Sequence, residues 1–369
     1  MHTENALARA IQDEHVTSAG KSVEQIAADA REVMEKNRIC LIRDFPLDPD
    51  RYLEFLGHFG EPLKNYSSLS ALAKTDPHPQ INRVKYKKKA EGAQSVHYVA
   101  GGLRPHSARS WRSPRPSHFA MLMVEAGWRE VPAGERGESV VVGWEDLFTR
   151  LAERDAEVFQ EHFARLSTTP ITFEANNVRE ELSSLPLLYP LPDARGPYDV
   201  GVRLKQDLSE KIVAIREHIP DFEAYQRSLD YLLAASADEA FFACFPLESG
   251  DLLLLDNHRF AHGRLKIVGE YLADGETRTN NRELWSVTVS PREGAKAPSA
   301  ADGAEQAEPA GGQEDLVAVC AELQGELDAL IGGTSGGAAA QSLDTAVASL
   351  KEVEQRNVSS VQLVALSHR

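Results

Sequence analysis

The chain is poor in cysteine. Its three, Cys40, Cys244 and Cys320, are far apart in 369 residues and form neither a zinc pattern nor a disulfide framework. A reducing, cytoplasmic setting is the expectation. No apolar run approaches the ~20 residues that a membrane helix needs, so no membrane partner is expected. The opening residues, MHTENALARAIQDEH, hold no basic segment followed by an apolar one, so no secretory signal is expected. There is no basic excess either: 40 Lys+Arg stand against 56 Asp+Glu, a formal charge of −16. Such a surface repels phosphate backbones, and no nucleic-acid partner is expected. The dense basic run Lys85, Lys87, Lys88 and Lys89 reads as a solvated strand end or loop. No repeat of fixed period exists, which excludes a solenoid.

What is present is the makings of a core: 42% hydrophobic residues against 26% charged ones. The composition shifts near residue 294. Residues 1–294 read as one domain and 295–312, rich in Ala, Gly and Pro, as a linker. Residues 313–369 read as a helical extension, because Leu316, Val319, Leu323, Leu327 and Leu330 recur at helical spacing. The expectation is that these helices pack on the main domain or on a second subunit in a homo-oligomer. Within the first domain, SVEQIAADAREVMEKN has helical periodicity, RICLIRDF reads as a buried strand, and DPDRYLEFLGHFGEPL is a helix capped by Asp48 or Asp50. INRVKYK, SHFAMLMVEAG, ESVVVG and RELWSVTVS read as strands, and FFACFPLESGDLLLLDNHRFAHGRL as two strands around a Glu-Ser-Gly turn. WEDLFTRLAERDAEVFQEHFARL reads as helical, and a later helical stretch breaks at Pro220. Strict βαβ alternation is absent. The expectation is a mainly β protein, an antiparallel sandwich or barrel with helices outside.

Two segments carry the chemistry. The first is RPHSARSWRSPRPSHFAMLMVEAG, with His106. The second is ESGDLLLLDNHRFAHGRL, with Gly250-Asp251, Asp256-Asn257 and His262, followed by Arg282. Together they resemble the iron(II)- and 2-oxoglutarate-dependent oxygenases of the taurine dioxygenase and clavaminate synthase type, over roughly residues 36–292. The resemblance implies a double-stranded β-helix (jelly-roll) core with flanking helices. It implies His106 and His262 as iron ligands, and Arg282 with Ser139 as the anchors of the far carboxylate of 2-oxoglutarate. The chemistry agrees. Two histidines and a carboxylate hold ferrous iron on one face in such enzymes, and arginine offers a carboxylate a planar, bidentate fork.

The sequence departs from that family at one place. The motif carboxylate belongs two residues after His106, where this chain has Ala108. In the wider superfamily, Ala or Gly there marks halogenases, in which chloride takes the vacated iron position. Three readings of Ala108 stay open: an oxygenase with water there, a halogenase with chloride, or a non-catalytic binding protein on the same fold. The first is preferred. It makes the chain an enzyme that uses molecular oxygen to oxidise an unactivated C–H bond of an amino acid or small natural product, in a biosynthetic role such as antibiotic tailoring. Arg109, Trp111, His118 and Arg264 are candidates for the substrate pocket, with Arg259 a further candidate for orienting a substrate. His97 and His258 are set aside as ligands, and Asp256 and Asn257 are read as fixing a turn.

Overall fold

In the computed structural model, residues 6–64, 77–86, 100–110, 115–127, 130–171 and 185–292 are described. Eleven of their strands build two facing sheets. We number these β1 (Val16–Thr17), β2 (Ile39–Arg43), β3 (Glu61–Pro62), β4 (Asn82–Lys85), β5 (Gly101–His106), β6 (His118–Glu125), β7 (Ser139–Gly143), β8 (Ala243–Phe245), β9 (Leu252–Asp256), β10 (Phe260–Ile267) and β11 (Glu283–Ser290). The larger sheet runs β1-β2-β9-β6-β11-β3, with β4 also pairing β11. The smaller runs β8-β7-β10-β5. All pairs are antiparallel except β1 with β2. This is a double-stranded β-helix with flanking helices.

Three apolar clusters show why these residues choose this arrangement. Strand side chains alternate between faces. Leu253 and Leu255 of β9 therefore join Leu41, Phe119, Met121, Val141, Phe245 and Phe260 between the sheets. Leu252 and Leu254 point the other way, into a layer covered by α2 (Val23–Asn37) and α3 (Pro49–Gly57), whereas α1 (Ala6–Asp13) packs Ala8 and Ile11 on the inter-sheet cluster. All four leucines are fully buried, so β9 reads as a continuous apolar run rather than an alternating one. On the far side, Val140, Val142 and Ala261 pack under four further helices: α4 (Trp144–Arg154), α5 (Ala156–Thr168), α6 (Leu208–Ala214) and α7 (Phe222–Ala237).

Some elements differ from expectation. FFACFPLESGDLLLLDNHRFAHGRL folds as three strands, and each turn crosses from one sheet to the other. The Glu-Ser-Gly turn needs its glycine: Gly250 has φ +88°, and a Cβ there would sit 3.4 Å from the Phe45 carbonyl. The long helical stretch after Gly143 breaks at Asp155, whose extended backbone lets its carboxylate accept from the Val158 amide and start α5. An additional hairpin, Glu270–Ala273 with Glu276–Thr279, stands between β10 and β11. The linker, the helical extension, Trp111, His97 and Lys87 to Lys89 lie outside the described residues; Lys85 ion-pairs with Glu283 at 2.6 Å. Among the described residues no helix is long and apolar enough to cross a membrane.

Candidate metal centre

β5 and β10 lie side by side, with His262 directly opposite His106. Phe260 faces the inter-sheet cluster and Ala261 the outer one, so alternation turns His262 and Arg264 inward. The ring centroids of His106 and His262 are 4.4 Å apart, with their planes tilted by 48°. Both residues are buried. Phe119 reaches across from β6 and stacks on His262 at 4.0 Å. His106 Nδ1 lies 3.0 Å from the Arg104 carbonyl oxygen. A carbonyl only accepts, so this bond assigns the proton to Nδ1 and leaves the Nε2 lone pair for a metal. Among the described residues no group of three His, Cys, Asp or Glu converges, so none adds a carboxylate to the pair.

Ala108 lies two residues beyond His106, half-buried, and packs against the inter-sheet cluster. Its backbone is held firmly. Its amide donates to Asn257 Oδ1 at 2.9 Å, and Asn257 Nδ2 donates to its carbonyl at 2.8 Å. Ser107 is held too: its amide donates to the Leu204 carbonyl at 2.8 Å and its hydroxyl to that of Val202 at 3.1 Å. Arg109 follows in a left-handed conformation, φ 48°, and donates to the Lys64 carbonyl at 2.5 Å. A non-glycine residue held at positive φ beside a pair of candidate ligands is local strain stored at the site.

Further along the inner face of β10, Arg264 lies opposite Ser139 of β7 and donates to the Gly101 carbonyl at 2.6 Å. Arg282 approaches the same region. It precedes β11, so it comes from the larger sheet, opposite the one that carries His262. Met123, Ala126, Gly137, Glu138, Leu247 and Arg282 line one cavity of about 90 Å³. The Arg282 amide donates to Asn280 Oδ1 at 2.9 Å, but no acceptor among the described residues takes a hydrogen bond from its guanidinium. Burial, with Arg264 nearby and Glu138 acting against it, pushes the Arg282 pKa down to about 10. The Ser139 hydroxyl likewise has no hydrogen-bond partner among the described residues.

Two of the candidates serve other ends. His118 does not line the inter-sheet space. Its neighbour Phe119 points inward, so His118 points outward, where its ring meets Phe59 edge-on at 5.8 Å. Arg259 is saturated by carboxylates: Asp199 and Asp193 at 2.7 and 2.8 Å, and Asp256 at 2.8 Å. Asp256 also accepts from the His258 amide at 2.8 Å, and so builds the turn into β10. His258 is engaged by the Tyr189 hydroxyl at 2.5 Å. One residue escaped sequence reading altogether. Arg203 is fully buried, and it donates to the carbonyls of Ser110 at 3.2 Å and Leu185 at 2.7 Å. Within YDVGVRL it looks like any strand-end arginine, and no local signal marks it.

The family model for taurine catabolism dioxygenase TauD, TfdA family, matches residues 6–288. Comparison with curated protein sequences gives no match. Among solved structures, asparagine oxygenase (AsnO) aligns over 78% of this chain and 84% of its own, at 15% identity and a TM-score of 0.50. A taurine dioxygenase from Burkholderia xenovorans aligns over 74% and 87%, at 15% identity and 0.46. Non-heme iron oxygenase OrfP in complex with Fe and alpha-ketoglutaric acid aligns over 77% and 90%, at 15% identity and 0.45. At these identities the likeness is one of fold. The family match is broader evidence, since it spans most of the chain and takes in both histidines and Arg282. This chain belongs to the TauD/TfdA family of taurine catabolism dioxygenases and is an iron(II)- and 2-oxoglutarate-dependent oxidoreductase.

Proposed function

We propose that His106 and His262 hold the ferrous iron, and that Arg282 and Ser139 hold the far carboxylate of 2-oxoglutarate. The observation that carries this reading is a line of polar side chains in an otherwise apolar interior. His262 comes first, Arg264 opposite Ser139 is two residues further along β10, and Arg282 lies beyond. Two strand residues span about 7 Å, so Arg264 and Ser139 lie within reach of a five-carbon diacid held at His262. Such a diacid gives the acceptorless guanidinium of Arg282 its missing partner in a bidentate, charge-assisted bond. Ser139 donates its hydroxyl to the same carboxylate. Bound iron and 2-oxoglutarate would supply the oxidation of an unactivated C–H bond by molecular oxygen, one oxygen atom going to succinate as 2-oxoglutarate loses carbon dioxide and the other to the substrate. The proposed substrate is an amino acid or small natural product, the class named by the asparagine oxygenase neighbour. Arg109 follows the metal loop, and we assign it with Arg264 to the substrate-binding surface. The oxidation is a hydroxylation or a related step in a biosynthetic pathway.

A second reading has its own support. Ala108 offers no ligand at the motif position, and no described carboxylate replaces it. Chloride there would make the protein a halogenase. Anaerobic titration of the apo-protein with iron(II) and 2-oxoglutarate, with and without chloride, tests both readings. A metal-to-ligand band should appear on adding both components. A chloride-dependent change in that band, with a chlorinated product, favours the halogenase. A hydroxylated or desaturated product whatever the halide favours the oxygenase. No band at all contradicts both.

A further inference from the structure

Asn257 is almost fully buried and makes three side-chain hydrogen bonds. It accepts from the Ala108 amide at 2.9 Å, and donates to the carbonyls of Ala108 at 2.8 Å and Pro116 at 3.1 Å. Its own amide donates to the Ser117 carbonyl at 2.9 Å. One side chain thereby joins three segments: the loop after His106, the entry to β6, whose Phe119 stacks on His262, and the turn that leads into His262 itself. That turn is already rigid, because Asp256 takes the next two amides and is held by Arg259. Seizing both the N–H and the C=O of one peptide residue requires a donor and an acceptor on the same planar group. A side-chain amide supplies both, side by side and without a charge. The loop is held from its other side as well, at Ser107 by Val202 and Leu204 and at Ser110 by Arg203.

We propose that Asn257 is a positioning residue that fixes where the side chain of residue 108 points relative to His106 and His262. This rests on the reading that the two histidines hold iron. The backbone of residue 108 is gripped on both its polar groups, so Asn257 fixes its Cβ direction within a loop anchored on either side at Ser107 and Ser110. In this chain that direction belongs to a methyl group, and whatever small ligand occupies the space beside it is placed by the same amide.

A double-mutant cycle on iron affinity tests this directly. Iron(II) dissociation constants are measured anaerobically for the full chain, Ala108→Asp, Asn257→Ala and the double variant, with thermal midpoints recorded for each. Asn257→Ala alone should weaken iron binding by about tenfold. Ala108→Asp should tighten it by about tenfold while Asn257 is present, and by about twofold or less when it is absent. Asn257→Asp has nearly the same shape but turns a carboxylate toward two carbonyls, so it should behave like Asn257→Ala in the cycle. It replaces that variant if Asn257→Ala fails to fold. A purely structural role would lower the thermal midpoint and leave the gain from Ala108→Asp equal in both backgrounds, which overturns the proposal. No gain in either background also overturns it, since residue 108 then does not face the metal. His106→Ala is the control. Its loss of iron binding keeps the histidine reading intact even where the proposal fails, and retention of iron by His106→Ala defeats that reading instead.

Discussion

Arg282 shows most plainly what single residues contribute. A buried guanidinium without an acceptor is unfavourable, and an arriving dicarboxylate removes the penalty. Arg282→Lys keeps the charge but loses the fork, so the KM for 2-oxoglutarate should rise by about tenfold. An unchanged KM in Arg282→Ala would remove Arg282 from the site. His258 carries a second expectation. Burial, then the charge of Arg115, pushes its pKa down to about 4, against the pull of Asp256 and with smaller contributions from His118 and Arg259. The unfolded chain takes up a proton near pH 6.5, while the folded one does so only near pH 4. Stability is therefore lost as pH falls through that window. The thermal midpoint should drop between pH 7 and pH 5, and less steeply in His258→Gln; equal slopes would contradict the assignment. At this scale the sequence is informative where chemistry sits in a motif. His106, His262 and Ala108 are marked by fixed spacing. Arg203 and the outward turn of His118 are not, because carbonyl partners and strand parity appear only once the sheets are assembled.

Elements are legible where local rules and burial agree. The α2 helix begins at Ser22, which accepts from the Gln25 amide while Gln25 reaches back to the Ser22 amide. Ser22→Ala should lower stability by about 1 kcal/mol in denaturant titration and leave iron affinity unchanged. A loss of iron binding in a folded Ser22→Ala protein would show that α2 supports the site directly. The strands β2, β6, β7 and β11 follow from their apolar runs of β-branched and long side chains. The sheet to which each belongs does not. β11 follows β10 in the chain, yet pairs with β6, β3 and β4 in the larger sheet. Spacing between His262 and Arg282 cannot distinguish a neighbouring strand from a facing one, because the extra hairpin absorbs the crossing. The break at Asp155 is hidden for a similar reason. Apolar periodicity continues through it, and only the extended backbone of the capping residue reveals two helices.

The whole molecule is net acidic, yet the face that carries its histidine pair also carries buried arginines. Composition thus describes the surface and says little about the interior, where motif order and the two-sheet geometry decide. All the site residues described here lie before the end of β11 at Ser290. A chain ending near Gly294 should therefore bind iron(II) and 2-oxoglutarate as the full chain does; a folded truncation that binds neither would place part of the site beyond that point. In the proposed site, two facing histidines and one buried arginine organise the metal and the diacid. Crystallography of the protein loaded anaerobically with iron(II) and 2-oxoglutarate tests it most directly, with data collected at the iron edge. The expected result is one anomalous peak bound by His106 Nε2 and the His262 ring, no side-chain carboxylate on the metal, and the far carboxylate of 2-oxoglutarate on Arg282 and Ser139. Iron bound elsewhere, or a carboxylate side chain completing its coordination beside Ala108, would contradict it.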